Sequence, residues 1–463
     1  MPVFQNQFQG SFKMQDKARQ RFFGVRASVI TLASWVLLSA PAWSAEVETI
    51  DWDSISDASP RLFYPGQSSY QWLRSDDHKK ASNETKSGEA CLQCHKGEQK
   101  SLGGILVVEN RLEPDPIEDK EGYKRLKVRA AHDATYLYLR FSWKSDGDRA
   151  GDQGNFMRFD GTEWNWYGNH RQHEAVIDDE QPAIYPDRLG IMMGDSRVPL
   201  YSEQGCWTTC HDALIGMPDE ADEDEVAEHP VISQLYKAYG ITNRYVRKYI
   251  PGSRTEGTDW DAVKTADELK ALRNEGGFLD LIIWDAALTN PGGFAADFNV
   301  LEMKQVDAGN SALLPNGKML AGPALMFDSA KLGYSVLTEA DLDDASKSKH
   351  LVVGSSTVPV SGTFKEGDIL PAHIIDKTTA DGSAADVDYA RGTWEDGVYT
   401  LVMRRKLDTG HPEDDLIMQP GGIYSFNFSI HDNAAGKRAH LVSFPVTVSI
   451  GPGTADIQAV TLP

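Results

Sequence analysis

The sequence predicts a mainly β fold, an antiparallel β-sandwich with a helical insertion, and three observations predict it. Apolar and polar residues alternate with period two in several segments, clusters of Gly, Pro and Asp fall between them, and one central stretch carries helix-start chemistry instead. In chain order, Leu137, Leu139, Phe141 and Trp143 alternate with Tyr138, Arg140 and Ser142, the pattern of a half-buried strand. A short apolar strand follows from Arg188 to Met193. Residues 229–285 read as the helical insertion, in which Thr265 and Glu268 form a capping box that opens a helix through Leu272, with Gly276 and Gly277 to stop it. Val398 to Lys406, Tyr424 to Ile430 and His440 to Ile450 alternate again, with turn residues between them. Strands that each bury one face close a core by pairing two layers. Residues 144–186, rich in Gly, Asp, Asn, Trp and His, lack a period and read as a long loop.

The start of the chain reads as an address. Lys13, Lys17, Arg19, Arg21 and Arg26 precede an apolar run over residues 27–40, followed by small residues through Ala45, which is the pattern of a secretory signal peptide. Residues 1–45 are therefore expected to be removed on export to a bacterial periplasm, with no membrane span afterwards. The formal charge is −22; residues 1–45 hold five basic and one acidic side chain, so the remainder stands near −26. That sign disfavours nucleic acid and anionic lipid as partners. The acidic block over residues 219–225 reads as a solvated loop.

Four cysteines in an oxidising compartment would ordinarily suggest two disulfides. Their placement argues for other chemistry: Cys91-Leu-Gln-Cys94-His95 and Cys206-Trp-Thr-Thr-Cys210-His211 each end in a histidine. With 12 histidines in 463 residues, a histidine follows a given cysteine by chance about one time in forty. Two thiols can add across the two vinyl groups of haem while the adjacent imidazole binds iron, and Cys-x-x-Cys-His is that attachment signature. The first motif matches it letter for letter. The second holds three residues between its cysteines, so its loop must bulge, and a non-covalent haem or a disulfide is the alternative there. Zinc fits less well, since two half-sites would have to pool ligands across the intervening chain. Two covalently bound haems c are expected, the first in an N-terminal segment over residues 46–110 and the second in a domain over residues 111–455.

The second axial ligand of each iron sets its potential within a range of about 0.8 V among haem proteins. His440 shares the parity of Val442, Phe444, Val446, Val448 and Ile450, which points it inward. For the other haem the candidates are His78, His132, His170 and His173, with Met192 and Met193 as thioether competitors. His229, His350, His373 and His411 lack such context.

Val128-Arg-Ala-Ala-His-Asp133 with Leu137 to Trp143, Gly205-Cys206 to Cys210-His211, Trp284-Asp-Ala286 with Asp297, and Trp394-Glu-Asp-Gly397 with Tyr424-Ser-Phe426 together resemble the ethylbenzene dehydrogenase-related haem-binding domain over roughly residues 110–450. The resemblance implies a β-sandwich holding one haem, as in the electron-transferring γ subunits of dimethyl-sulfoxide-reductase-type molybdenum enzymes, which use Met and Lys ligands. This chain is similar to a cytochrome c branch of that family, with the Cys206 motif at the same pocket and His440 where the γ subunits place their lysine. The Cys91 motif lies outside the resemblance. No Ser/His/Asp set, P-loop or zinc-hydrolase motif stands out, so the leading expectation is a periplasmic dihaem electron carrier rather than an enzyme. A haem peroxidase or small-molecule oxidoreductase is the competing class. As partners we expect redox proteins, with a molybdenum oxidoreductase or a quinol-oxidising membrane protein as examples.

Overall fold

The computed structural model describes residues 46–108, 121–147, 150–238, 244–318 and 321–463. The leader read in residues 1–45 and the boundary read at residue 110 lie outside them. Fourteen strands, numbered along the chain, share one sheet. They are β1 (Arg61–Phe63), β2 (Tyr123–Arg125), β3 (Lys127–His132), β4 (Tyr136–Lys144), β5 (Arg188–Gly194), β6 (Leu279–Asp285), β7 (Ala296–Val300), β8 (Lys304–Val306), β9 (Tyr389–Glu395), β10 (Val398–Lys406), β11 (Ile423–His431), β12 (Leu441–Ser443), β13 (Val446–Ile450) and β14 (Ile457–Thr461). The order is β8-β7-β6-β5-β11-β13-β14-β3-β4-β10-β9, with β12 on β11 and β1, and β2 on β1.

The sheet folds back on itself, and its two halves enclose the main core. Leu189, Ile191, Ile282, Trp284, Phe426 and Phe428 from one half meet Val128, Leu139, Phe141, Trp143, Leu401 and Met403 from the other. Ring pairs cross the interface, Phe141 with Phe428 at 5.8 Å and Trp143 with Trp284 at 5.9 Å. The sandwich expectation holds, with one correction: β14 runs parallel to both of its neighbours, β13 and β3, so the sheet is mixed. Tyr138, on the outer face of β4, is buried too, because Val47, Ile50 and Ile55 cover that face.

Three element boundaries differ from the pattern reading. Thr265 caps a helix over Ala266–Asn274 with both halves of the capping box formed, but the expected helical insertion ends there, since residues 279–285 are β6 in the middle of one half-sheet. Both faces of β6 are covered and mostly apolar, which removes the alternation that would announce a strand. The expected strand from His440 to Ile450 breaks at Pro445, which cannot donate to a ladder. Val442 and Phe444 pack in one cluster, Val448 and Ile450 in another, so parity does not carry from Ile450 back to His440. The stretch over residues 144–186 holds a hairpin, Phe156–Phe159 with Trp164–Tyr167, that packs with Ile369–Pro371 into a satellite core. No helix among the described residues is long and apolar enough to cross a membrane.

Candidate haem sites

Residues 61–105 wrap one end of the sandwich. β1 pairs with β2 and β12 and points Phe63 toward Trp207 and Phe444. Ser69 caps α1 (Tyr70–Arg74) by accepting the Trp72 N–H at 2.8 Å. Then come α2 (Ser82–Lys86), α3 (Cys91–His95) and α4 (Gln99–Val108). These elements surround a largely apolar cleft of about 760 Å3, lined among others by Phe63, Trp72, Leu73, His78, Cys91, Cys94, His95, Leu102, Trp207 and Phe444. Both sulfurs of the first motif border it, and neither is in a disulfide. Burial pushes the Cys91 thiol up to about 11.

Two histidines face one another in this cleft. His95 holds its Nδ1 against Glu98 Oε2 at 3.0 Å, and His78 holds its Nδ1 against the Leu73 carbonyl oxygen at 2.9 Å. Each ring thereby keeps Nε2 for another partner, which is how a second partner fixes the tautomer and aim of a metal-binding imidazole. The ring centroids are 6.2 Å apart and the planes differ by 18°. A separation of that size, with Nε2 left over on each ring, suits two imidazoles that would hold one metal ion between them. The residues present thus fit a haem. Sequence reasoning names His78 as a candidate but prefers His132, His170 and His173 to it; the carbonyl that aims it comes from the end of α1, a feature with no sequence signature.

The second motif forms a tight turn over Gly205–Thr209. Gly205 has φ +61°, and a Cβ there would meet the Asn427 side chain at 2.5 Å, so both its conformation and its surroundings require glycine. The contact between the Cys206 and Cys210 sulfurs draws Cys210 below the ordinary thiol range, helped by Lys248 and Arg438; the same contact, with burial, pushes Cys206 up. Lys248 Nζ is 3.3 Å from Cys210 Sγ. His211 is fully buried between Tyr249 and Tyr70, with ring centroids at 3.9 and 4.9 Å. Its Nδ1 lacks a hydrogen-bond partner, and burial lowers its pKa to about 3, which keeps the imidazole neutral. Nearby, the outer face of the first half-sheet gathers positive charge. Loss of solvent pushes Lys304 down to about 7, and Arg188, Arg247 and Lys248 add to the shift. None of these four cations forms an ion pair with a carboxylate among the described residues, although the chain as a whole is strongly acidic. A thiol pair, an orphaned imidazole nitrogen and unpaired cations suit a group that takes thioethers, donates iron and carries two carboxylates.

The other expected ligands divide. His440 precedes β12, half-buried, with its ring stacked on His431 at 4.6 Å and its Nδ1 3.2 Å from the Lys437 carbonyl oxygen. His170 is buried against the same loop, since a Cβ on Gly436 would meet its ring at 2.4 Å, and burial lowers its pKa to about 4. His173 lies beside it at 5.7 Å and accepts the Ala175 N–H at the start of a short helix. That loop leans on the segment after the second motif, where Gly216 faces Lys437 and Arg438. His440, His170 and His173 therefore collect around one loop, whose Arg438 is near enough to act on the Cys210 thiol. His132 lies apart from them, at the end of β3 beside β14. Its Nδ1 meets the Asp133 carbonyl oxygen and its Nε2 meets Thr461 Oγ1, both at 2.9 Å, which ties β3 to β14. Met193 belongs to the main core and Met192 to the cluster around the two motifs.

Known proteins give the chain its relatives. The chain is 31% identical over 173 residues to cytochrome c-552 of Stutzerimonas stutzeri, covering 37% of this chain and 50% of that protein. It is 27% identical over 172 residues to cytochrome c-551 of Rhodocyclus tenuis, covering 36% of this chain and 58% of that protein. The chain thus spans little more than half the length of these relatives. The ethylbenzene dehydrogenase family profile matches residues 75–443, which takes in the Cys91 motif and so corrects the sequence reading that sets it outside the resemblance, and the chain belongs to that family.

Proposed function

We propose that this chain is a periplasmic dihaem c-type cytochrome that relays electrons between redox proteins. One observation carries the reading: the two cysteine motifs, far apart in sequence, share one apolar cluster. Cys91, Leu92, Cys206 and Trp207 pack together, and Trp207, a residue inside the second motif, walls the cleft of the first. A relay needs its centres close and shielded from water, and that cluster supplies both conditions. The likeness to two cytochromes c supports the cofactor type.

In this reading Cys91 and Cys94 would anchor one haem with His95 and His78 to bind its iron, and Cys206 and Cys210 would anchor the other with His211 and one of His440, His170 and His173 to bind its iron. Each haem supplies a one-electron iron couple. The chain's residues do the rest: Glu98 and the Leu73 carbonyl orient imidazoles, Trp72, Phe63 and Phe444 exclude water, and Arg188, Arg247, Lys248 and Lys304 offset acidic groups. An acidic surface suits a basic docking face on the partner, and the family's link to molybdenum enzymes makes a molybdenum oxidoreductase one such partner, a quinol-oxidising membrane protein another. The test is intact mass with a pyridine haemochrome assay on the periplasmic protein and on a Cys206→Ser, Cys210→Ser double variant. Two haems in the first and one in the second are expected. A colourless protein with both cysteine pairs oxidised would end the proposal.

A further inference from the structure

Outside both cysteine motifs, the inner faces of the two halves bring carboxylates together. Asp280 on β6, Asp297 on β7 and Asp415 in the loop after β10 each place an oxygen within 4.8 Å of the others, all three buried. Asp307 and Asp414 are buried in the same group. Arg405, reaching in from β10, is the cation set against these five: it bonds Asp280 and stands 3.5 Å from Asp415. Arg273, the other nearby guanidinium, is committed to Glu302 at 3.1 Å. Taking charges out of water is costly unless each is matched, and one guanidinium leaves most of these carboxylates unmatched.

A second observation does not involve acids. Asp280 stands opposite Asn299, and Asn299 opposite Gln305, in one row across β6, β7 and β8. Gln305 is 4% exposed and donates Nε2 to Asn299 Oδ1 at 2.9 Å, yet its carbonyl oxygen Oε1 has no donor. Asp280 Oδ1, Asp297 Oδ2 and Asp307 Oδ2 likewise have none. These unsatisfied buried oxygens, neutral and charged, outnumber the buried donor left beside them, Arg405 Nε.

We propose that Asp280, Asp297 and Asp415 bind a calcium ion that joins the two halves of the sandwich. Calcium takes six to eight oxygens at about 2.3–2.6 Å in flexible geometry, so oxygens on one ion lie no more than about 5 Å apart. The donor set is oxygen alone, which excludes the softer transition metals, and its irregular, carboxylate-rich character suits calcium better than magnesium. The ion pins the loop at Asp415 and the end of β10 to β6 and β7. This assignment is independent of the haem reading.

The experiment uses the full haem-loaded protein, dialysed against calcium chloride and then against EGTA. Elemental analysis is expected to find one calcium per chain before EGTA and none after. Thermal unfolding is expected to shift up by about 3 °C at a hundredfold calcium excess over Kd, with a smaller shift from magnesium chloride. Asp297→Asn removes both the bound calcium and the shift while keeping the haem spectrum; should that variant fail to fold, Asp415→Asn serves in its place. A wild-type protein that retains no calcium and melts alike in calcium and EGTA would overturn the proposal, and so would full calcium retention by the folded variant.

Discussion

A histidine serves a metal when one ring nitrogen is held by the protein and the other is left over, and this criterion separates histidines that look alike in sequence. His132 spends both nitrogens on β3 and β14, whereas His78 spends Nδ1 on Leu73 and turns toward His95. Replacing His78 with Ala is therefore expected to leave two haems attached, because the thioether bonds do not depend on it, while half of the low-spin haem becomes high-spin. Replacing it with Met should restore the low-spin state and raise that haem's reduction potential, as methionine ligation does in cytochromes c. Electron paramagnetic resonance and a redox titration read both outcomes, and an unchanged bis-histidine signal in the Ala variant would assign the ligand elsewhere. The two cysteine motifs are legible because cysteine spacing is a local rule. His78 is not singled out by sequence, because what selects it is a carbonyl at the end of α1, held there by the Ser69 cap.

At the scale of elements, legibility follows contrast between faces. β4, β10 and β11 alternate and lie where alternation puts them, and the capping box at Thr265 marks its helix start to the residue. β6 escapes a pattern reading because it is covered on both sides, by the main core on one face and by the cluster around the cysteine motifs on the other. The run toward His440 is overextended because a pattern count passes through Pro445 and a hydrogen-bond ladder does not. Close packing between elements is also absent from any one segment's pattern. Gly392 on β9 is an example: an added Cβ would meet Trp284 Cζ2 at 2.3 Å, and Trp284 is fully buried while Asn290 ties its indole and the Gly392 backbone together. Gly392→Ala should cost about 1–3 kcal/mol through overpacking, measured as a lower urea midpoint. Haem content should not change, since neither cysteine motif belongs to that contact.

For the whole molecule, the question is what keeps two half-sheets in one body while the apolar cluster shared by the cysteine motifs is built on only one of them. β14 answers part of it. It is the strand through which the hydrogen-bonded order passes from one half to the other, parallel to β13 through Val448 and Ile457 and parallel to β3 through Ala131 and Val460. Ile457 and Ala459 turn into the main core from this strand. Parallel insertion of the last strand cannot be read from a run of five residues, because it depends on two partners more than three hundred residues apart from one another along the chain. Deleting residues 457–463 would leave β13 and β3 with open edges, which invite association with other chains, and would remove the ladder joining the halves. The shortened protein is expected to lose its single cooperative thermal transition and to sediment as aggregate. Ile457→Ala, which keeps the ladder and only empties part of the core, should stay soluble and lose about 2–5 kcal/mol. If the shortened chain instead melted in one transition near the full-length temperature, the buried side chains between the halves would be sufficient by themselves, and β14 would be a cover rather than a joint.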